Sequence, residues 1–244
     1  MAYPRNARGF RLARRGSTAD ECEDAWAIDA EATRVAVADG ATESAYPGVW
    51  AQLLVEHFTR EAGDWPGWIA QVQPRWLDAV RQPDIPPVPW FVEQSLARGA
   101  FATFLGVRFA EESAEAIAVG DSCLFHVRDG RLERSFPLED SSAFGNTPWL
   151  VGSRTSPDDV PRRQGKSCPL ELLAGDRLWL MTDALARWFL VEAEAGRRPW
   201  DALGDLLDRP DVEWEAWVET LRDTRALRND DTTVVGVTIP LPLA

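Results

Sequence analysis

Cysteine is scarce in this sequence, and the few cysteines are not spaced for a structural role. The 244-residue chain has three, at positions 22, 123 and 168, with no Cys-x-x-Cys pair. An odd number at such spacing argues against both a disulfide framework and a zinc site. Cys22 stands beside an acidic pair, and we interpret it as a small buried side chain rather than a redox-sensitive thiol.

Long apolar runs are also missing, as is a leader of charged and then apolar residues. No segment approaches the roughly 18 apolar residues that span a bilayer. A secreted or membrane-spanning protein is therefore disfavoured, and we expect a cytoplasmic one.

Basic residues are also few relative to acidic ones. Thirty-nine Asp and Glu residues outnumber 26 Lys and Arg, which gives a net charge of −13, and no extended basic run occurs. Nucleic acid and anionic membranes are poor partners for such a chain. The oligomeric state stays open, with a monomer favoured.

The chain, at 244 residues, is long enough to bury a large hydrophobic core. Acidic motifs spread over its whole length favour a single domain covering residues 1–244. Twelve tryptophans, many at helical spacing, predict aromatic core packing, with one exposed contact patch as a further possibility.

Hydrophobic periodicity predicts both helices and strands. Strands over 103–110, 116–121, 123–128 and 131–136 predict an antiparallel meander, with Asp129-Gly130 as a hairpin turn. One helix is predicted to begin at an Asp64 cap, with Pro66 in its first turn, and to end near Arg81. The other predicted strands cover 9–15, 25–29, 35–38, 177–181 and 232–239, and the other helices 47–60, 90–100, 183–196, 199–207 and 211–227.

The stretch from Val35 to Ser44, VAVADGATES, is central to the functional interpretation. Its apolar run, ended by a turn signal, predicts a strand buried on both faces. Asp39 at the strand tip, followed by Gly40, is placed to hold a metal ion or to act as a base. An ordinary Asp-Gly turn is the alternative.

Three further acidic sites lie at predicted strand boundaries. They are Glu23-Asp24 before DAWAI, Asp183 after RLWLM, and Asp230-Asp231 before the last strand. If all four sites met at one rim, their carboxylates would repel each other. Such a cluster implies hard cations with oxygen ligands.

In order, the motifs ECEDAW, VADG, VGDS, MTDA and NDDTTVVGV resemble the signature blocks of the metal-dependent protein phosphatases, the PPM or type 2C family. The resemblance implies an α+β fold. Its architecture would be a four-layer α-β-β-α sandwich, with two antiparallel sheets flanked by helices on both faces. It also implies a pair of Mn²⁺ or Mg²⁺ ions at one end.

The resemblance assigns site residues by position. Asp39 would bridge both ions, and the carbonyl of Gly40 would bind one of them. The remaining metal ligands would be Asp183 and Asp230 on the first ion and Glu23 on the second. Asp24 would orient water, which makes Asp39 and Asp24 the expected catalytic residues.

The implied reaction is hydrolysis of phosphoserine or phosphothreonine in a phosphorylated protein. A water bridging the two ions would attack in line, without a covalent intermediate.

Several positions depart from the family pattern. Ala19 stands where an arginine is expected to grip the substrate phosphate, and Arg14 or Arg15 could replace it. Arg98 stands where an acidic ligand for a third ion is expected. These departures predict reduced activity or an unusual phosphorylated substrate. They also leave open a non-catalytic member that binds a phosphoprotein or partner.

Smaller departures lie close to the motifs. Ala184 replaces a glycine, Asp231 replaces an asparagine, and Phe101-Ala102-Thr103 replaces a Gly-Thr-Thr or Gly-Ser-Thr element. Asp121 in VGDS is interpreted as structural, closing a turn by accepting hydrogen bonds from backbone amides.

A haloacid-dehalogenase-type phosphatase is a competing hypothesis, because ADGAT is similar to that family's DxDGT loop. That chemistry needs a nucleophilic aspartate two positions before the second aspartate. Val37 occupies the position, which excludes the alternative.

Overall fold

The structure is a computed structural model that describes residues 6–61, 63, 65–81, 90–110, 113–145, 147–154 and 163–240, without the side chains of residues 61 and 90–93. The strands are β1 (Asn6–Leu12), β2 (Asp24–Ile28), β3 (Arg34–Asp39), β4 (Phe101–Ala102), β5 (Phe104–Phe109), β6 (Ser113–Val119), β7 (Cys123–Arg128), β8 (Arg131–Phe136), β9 (Val151–Gly152), β10 (Lys166–Glu171), β11 (Arg177–Met181) and β12 (Thr232–Thr238). The helices are α1 (Pro47–Glu61), α2 (Ile69–Val80), α3 (Trp90–Arg98), α4 (Asp183–Glu194), α5 (Pro199–Leu207) and α6 (Asp211–Asp223).

Two five-stranded antiparallel sheets form the centre of the fold. The first has the order β1-β12-β11-β7-β8 and the second the order β10-β6-β5-β3-β2, while β4 pairs separately with β9. Helices α1 and α2 pack on the outer face of the second sheet. Helices α4, α5 and α6 pack on the outer face of the first. The predicted four-layer sandwich is confirmed.

Strand β3 connects two of these layers. Val35 and Val37 point into the core between the sheets, whereas Ala36 and Ala38 point to the helical layer. Successive side chains on a strand alternate between its faces, so a strand between two layers must be apolar throughout. All four residues are fully buried, which confirms the predicted burial on both faces.

Tryptophans fill much of the space between sheets and helices. Among the tryptophans whose side chains the structure describes, seven are buried: Trp50, Trp68, Trp76, Trp179, Trp188, Trp200 and Trp214. The prediction of core packing is confirmed for these. Trp149, by contrast, is 58% exposed. Among the helices described, none is long and apolar enough to cross a membrane.

The predicted four-strand meander is wrong in its connectivity. Strands β5 and β6 pair in the second sheet, whereas β7 and β8 pair in the first. The chain crosses between the sheets at Gly120, whose φ of +99° suits glycine. The β7–β8 hairpin itself is confirmed, since Asp129 and Gly130 both have positive φ, as a tight two-residue turn requires.

The predicted start of the second helix is also wrong. Pro66 lies in the turn before α2, and the helix begins at Ile69. The predicted cap Asp64 and the proline-rich stretch 82–89 lie outside the described residues.

A buried ionic group stabilises the ends of β7 and β11. The Asp176 side chain is 1% exposed and accepts hydrogen bonds from His126 (2.8 Å) and Arg128 (2.7 and 2.9 Å). The Leu173 amide donates to it at 2.8 Å. Burial by itself would raise the pKa of Asp176, but these donors hold the pKa below its ordinary value.

We expect Asp176→Asn to lower the free energy of unfolding by about 3 kcal/mol, because the change leaves Arg128 without its buried partner. Urea unfolding at neutral pH measures the loss. Since the folded pKa of Asp176 is depressed, its stabilisation is present above the unfolded pKa. The difference between wild type and variant should therefore shrink as the pH falls below about 4.

Asp201→Asn is the matched control, because Asp201 forms an exposed ion pair with Arg198. Its expected cost is below about 1 kcal/mol. Equal losses in the two variants would contradict a special role for the Asp176 group.

Candidate metal centre

The acidic residues predicted from separate motifs come together at one end of the sandwich. Asp24 begins β2 and Asp39 ends β3, and the antiparallel register places them directly opposite each other. Directly opposed residues have Cβ atoms only about 5 Å apart. Asp183 follows β11 at the start of α4, and Asp230 precedes β12.

Asp24 is fixed by threonines from the first sheet. Its side chain is buried, and Oδ2 accepts a hydrogen bond from the Thr182 hydroxyl at 2.8 Å. The Thr233 amide donates to the same hydroxyl at 3.0 Å. The other oxygen, Oδ1, is buried and has no hydrogen-bond partner in the described part of the chain.

The backbone around Asp39 is equally constrained. The Asp39 amide donates a hydrogen bond to the Thr103 hydroxyl at 3.2 Å, and the Thr103 amide donates to the Asp39 carbonyl at 2.8 Å. These two hydrogen bonds fix the backbone at Asp39. Gly40 donates to the Glu23 carbonyl at 3.2 Å. A Cβ at Gly40 would lie 2.8 Å from that carbonyl oxygen, so only glycine fits.

Glu23 is held through both its side chain and its amide. The carboxylate accepts hydrogen bonds from Thr42 (2.5 Å) and Arg14 (3.3 Å). The Glu23 amide donates to Asp231 at 2.7 Å, and the other Asp231 oxygen accepts from the Arg14 amide at 2.8 Å. Asp231, which replaces the expected asparagine, therefore links the backbone at Arg14 to the backbone at Glu23.

Of the two arginines predicted to reach the site, only Arg14 contacts one of its carboxylates. Arg15 instead contacts Glu219 and Asp223 on α6.

Arg228 is a site residue that the sequence did not reveal. One nitrogen, Nη2, lies 2.5 Å from Asp183 and 2.6 Å from Asp230, so these two carboxylates are neighbours. An arginine in a polar loop gives no signal of such a role.

Arg222 was also missed, although a signal existed. It lies four residues after Val218 on the apolar face of α6, is buried, and donates to the Asp230 carbonyl at 2.6 Å.

The carboxylates raise one another's proton affinity. Burial raises the pKa of Asp39 well above its ordinary value, and the charges of Asp24 and Asp183 raise it further. Burial likewise raises the pKa of Asp24, although the Thr182 hydroxyl opposes the change. Burial also raises the pKa of Asp183, against the opposing charge of Arg228. The positive charge around the cluster is therefore too small to stabilise the ionised form of all its carboxylates.

Asp121 lies close to the same cluster, since its charge is among those that raise the pKa of Asp39. It is buried, and no hydrogen bond joins its carboxylate to the amide of another described residue. Burial, with the charge of Asp183, raises the pKa of Asp121 to about 7. Asp121 is therefore an additional carboxylate near the site, and its turn-closing role stays a prediction.

The Cys22 thiol is buried too, and burial raises its pKa to about 12, as expected for an unreactive side chain.

These residues fit a hard divalent cation in their chemistry. Every donor is an oxygen, and one buried oxygen on each of Asp24 and Asp121 has no partner among the described residues. However, no three His, Cys, Asp or Glu side chains in the described ranges are already arranged as a metal-binding group. Arg228 lies between two of the predicted ligands, so a cation there must displace it.

A cleft of about 530 Å³ opens beside the carboxylates. Glu23, Asp39 and Asp230 line it, together with Ser95 and Arg98 from α3. A larger cavity of about 790 Å³ is lined by other residues, including His126 and Arg134, and by none of the predicted metal ligands. The smaller cleft is the candidate substrate site because the clustered carboxylates border it.

Solved structures share this architecture. The serine/threonine phosphatase Stp1 from Staphylococcus aureus has a TM-score of 0.62 and 15% identity, over 99% of this chain and 97% of that chain. The catalytic domain of the serine/threonine protein phosphatase PstP, in complex with two manganese ions, has a TM-score of 0.58 and 19% identity, over 96% and 99%. PppA, a regulatory component of T6SS in Pseudomonas aeruginosa, has a TM-score of 0.58 and 19% identity, over 97% and 98%.

At these identities the structures show a common fold. No match was found among curated protein sequences. A sequence profile of protein phosphatase 2C, however, matches residues 13–226. Because that match extends over most of the sequence, the chain belongs to the protein phosphatase 2C family.

Proposed function

We propose that this protein is a Mn²⁺- or Mg²⁺-dependent protein serine/threonine phosphatase, with residues 1–244 as one phosphatase domain. The observation that carries the proposal is the convergence of carboxylates from four sequence motifs beside one cleft. Family membership supports it. So does the presence of two manganese ions in PstP, a protein of the same fold.

The ligands of the two ions would be those implied by the motifs: Glu23, Asp39, the Gly40 carbonyl, Asp183 and Asp230. Bound there, the ions would supply Lewis acidity toward phosphoryl oxygens and lower the pKa of water. Asp24 Oδ1 would accept a hydrogen bond from the attacking water and so orient it. Thr182 would keep that carboxylate in place through its hydrogen bond to Oδ2.

A second candidate function is a catalytically weak or inactive member that binds a phosphoprotein or partner in the same cleft. Two observations favour it. Arg228 forms ion pairs with both Asp183 and Asp230 and so offsets part of their charge. Ala19 offers no donor for a phosphate. Turnover measurements separate the two functions.

For the enzyme, we expect Mn²⁺-dependent release of phosphate from p-nitrophenyl phosphate and from a phosphothreonine peptide. Asp39→Asn should reduce the rate by at least about 100-fold, because it removes a proposed ligand of both ions. Release is measured with and without Mn²⁺. If the wild type bound Mn²⁺ but released phosphate from neither substrate, the binding module would be favoured.

Millimolar Mn²⁺ should raise the melting temperature of the wild type, because the ion binds the folded state and relieves carboxylate repulsion. The expected stabilisation is about 2.7 kcal/mol when the ion is at 100 times its Kd. Asp39→Asn should lose most of this gain. An equal shift in both proteins would indicate surface binding to a chain of charge −13 and would contradict the site assignment.

Arg228→Gln should bind Mn²⁺ about 10-fold more tightly than the wild type, because the guanidinium no longer competes for Asp183 and Asp230. Calorimetric titration of the metal-free protein measures the change. Arg187→Gln is the control, since Arg187 is an exposed arginine on the helix that Asp183 begins. The same gain in both variants would mean that only the overall charge matters.

A further inference from the structure

Arg98 is a cation in the candidate cleft that forms no ion pair with an acidic residue in the described part of the chain. It lines the cleft together with Glu23, Asp39 and Asp230. Its side chain is exposed, and it forms no hydrogen bond or ion pair with any residue in the described ranges. A guanidinium in this state is available to an anion that enters the cleft.

The backbone at Arg98 is held in place although its side chain is free. Gly99 ends α3 with a φ of +89°, and its amide donates to the Ser95 carbonyl at 3.0 Å. The next amide, that of Ala100, donates to the Ser153 hydroxyl at 2.9 Å. The guanidinium therefore extends into the cleft from a fixed point, which limits the entropy lost when it binds a ligand.

Among the described residues, two other arginines form ion pairs with carboxylates of the site. Arg14 donates to Glu23 at 3.3 Å, and Arg228 lies between two aspartates. An anion that approached either one would compete with a carboxylate for the same donors. Arg98 has no such competitor among the described residues, so it is the arginine best able to bind an incoming anion.

We infer that Arg98 binds the phosphoryl group of the substrate, an inference that rests on the proposed phosphatase function. Its planar guanidinium can donate two parallel hydrogen bonds to two phosphoryl oxygens. Ser95 lies one helical turn earlier on α3 and lines the same cleft, where its hydroxyl can add a third donor. Arg98 would thus provide the anion contact that Ala19 cannot.

The test compares the Mn²⁺-loaded wild type with the variants Arg98→Gln, Arg14→Gln and Arg131→Gln. Arg98→Gln should raise KM for p-nitrophenyl phosphate and for a phosphothreonine peptide about 10-fold, with kcat nearly unchanged. Calorimetry should show a similar loss of affinity for inorganic phosphate and no change in Mn²⁺ affinity. Arg131→Gln removes an equal charge from the exposed β7–β8 hairpin and should match the wild type.

Equal phosphate affinity in wild type and Arg98→Gln, or no phosphate binding by either, would overturn the role of Arg98. A loss seen with Arg14→Gln but not with Arg98→Gln would assign the contact to Arg14 instead. A KM effect confined to the peptide would mean that Arg98 binds acidic side chains of the peptide, which also overturns the inference. Phosphate binding that depends on Arg98 without any hydrolysis would contradict the proposed function alone.

Discussion

The antiparallel pairing of Asp24 with Asp39 places two carboxylates side by side at one end of the second sheet. Like charges opposite each other destabilise a sheet, and burial adds to the cost. Much of the surrounding structure compensates for this pair. Thr182 donates to one carboxylate, and Thr103 holds the backbone of the other. These contacts do not offset the whole cost, because the pKa values of Asp24 and Asp39 stay raised. A bound cation would supply the positive charge that the two carboxylates lack.

Hydrogen bonds to the backbone also hold the proposed ligands of the site in position. Asp231 accepts hydrogen bonds from the amides of Arg14 and Glu23, and buried Arg222 donates to the carbonyl of Asp230. These contacts position the proposed ligands without occupying their side chains. Arg228 differs from them, since it contacts ligand side chains directly and would compete with a metal ion. Arg14 is similar to Arg228 in this respect, since it contacts the Glu23 carboxylate.

Local patterns predicted much of the fold and part of the site. The apolar run before Asp39 and the turn at Asp129-Gly130 could be recognised because their signals lie within a few residues. The four-layer sandwich was implied by the family resemblance that the motifs carry. The crossing at Gly120 could not be predicted, because sheet membership depends on pairing between distant strands. Arg228 and Asp121 both lie near Asp183, which is distant from each of them in sequence, and no local pattern contains that proximity.

The contact between the Glu23 amide and Asp231 spans 208 residues of sequence and has a consequence for biosynthesis. A ribosome adding about 5–20 residues per second needs roughly 10–40 s to pass from one to the other. Throughout that interval Glu23, Asp24 and Asp39 exist without β12, the strand that pairs with β1. The carboxylate cluster is therefore assembled in a late step, after the residues of β12 have been synthesised. The carboxylate cluster therefore cannot be complete in a nascent chain until the last strand joins the first sheet.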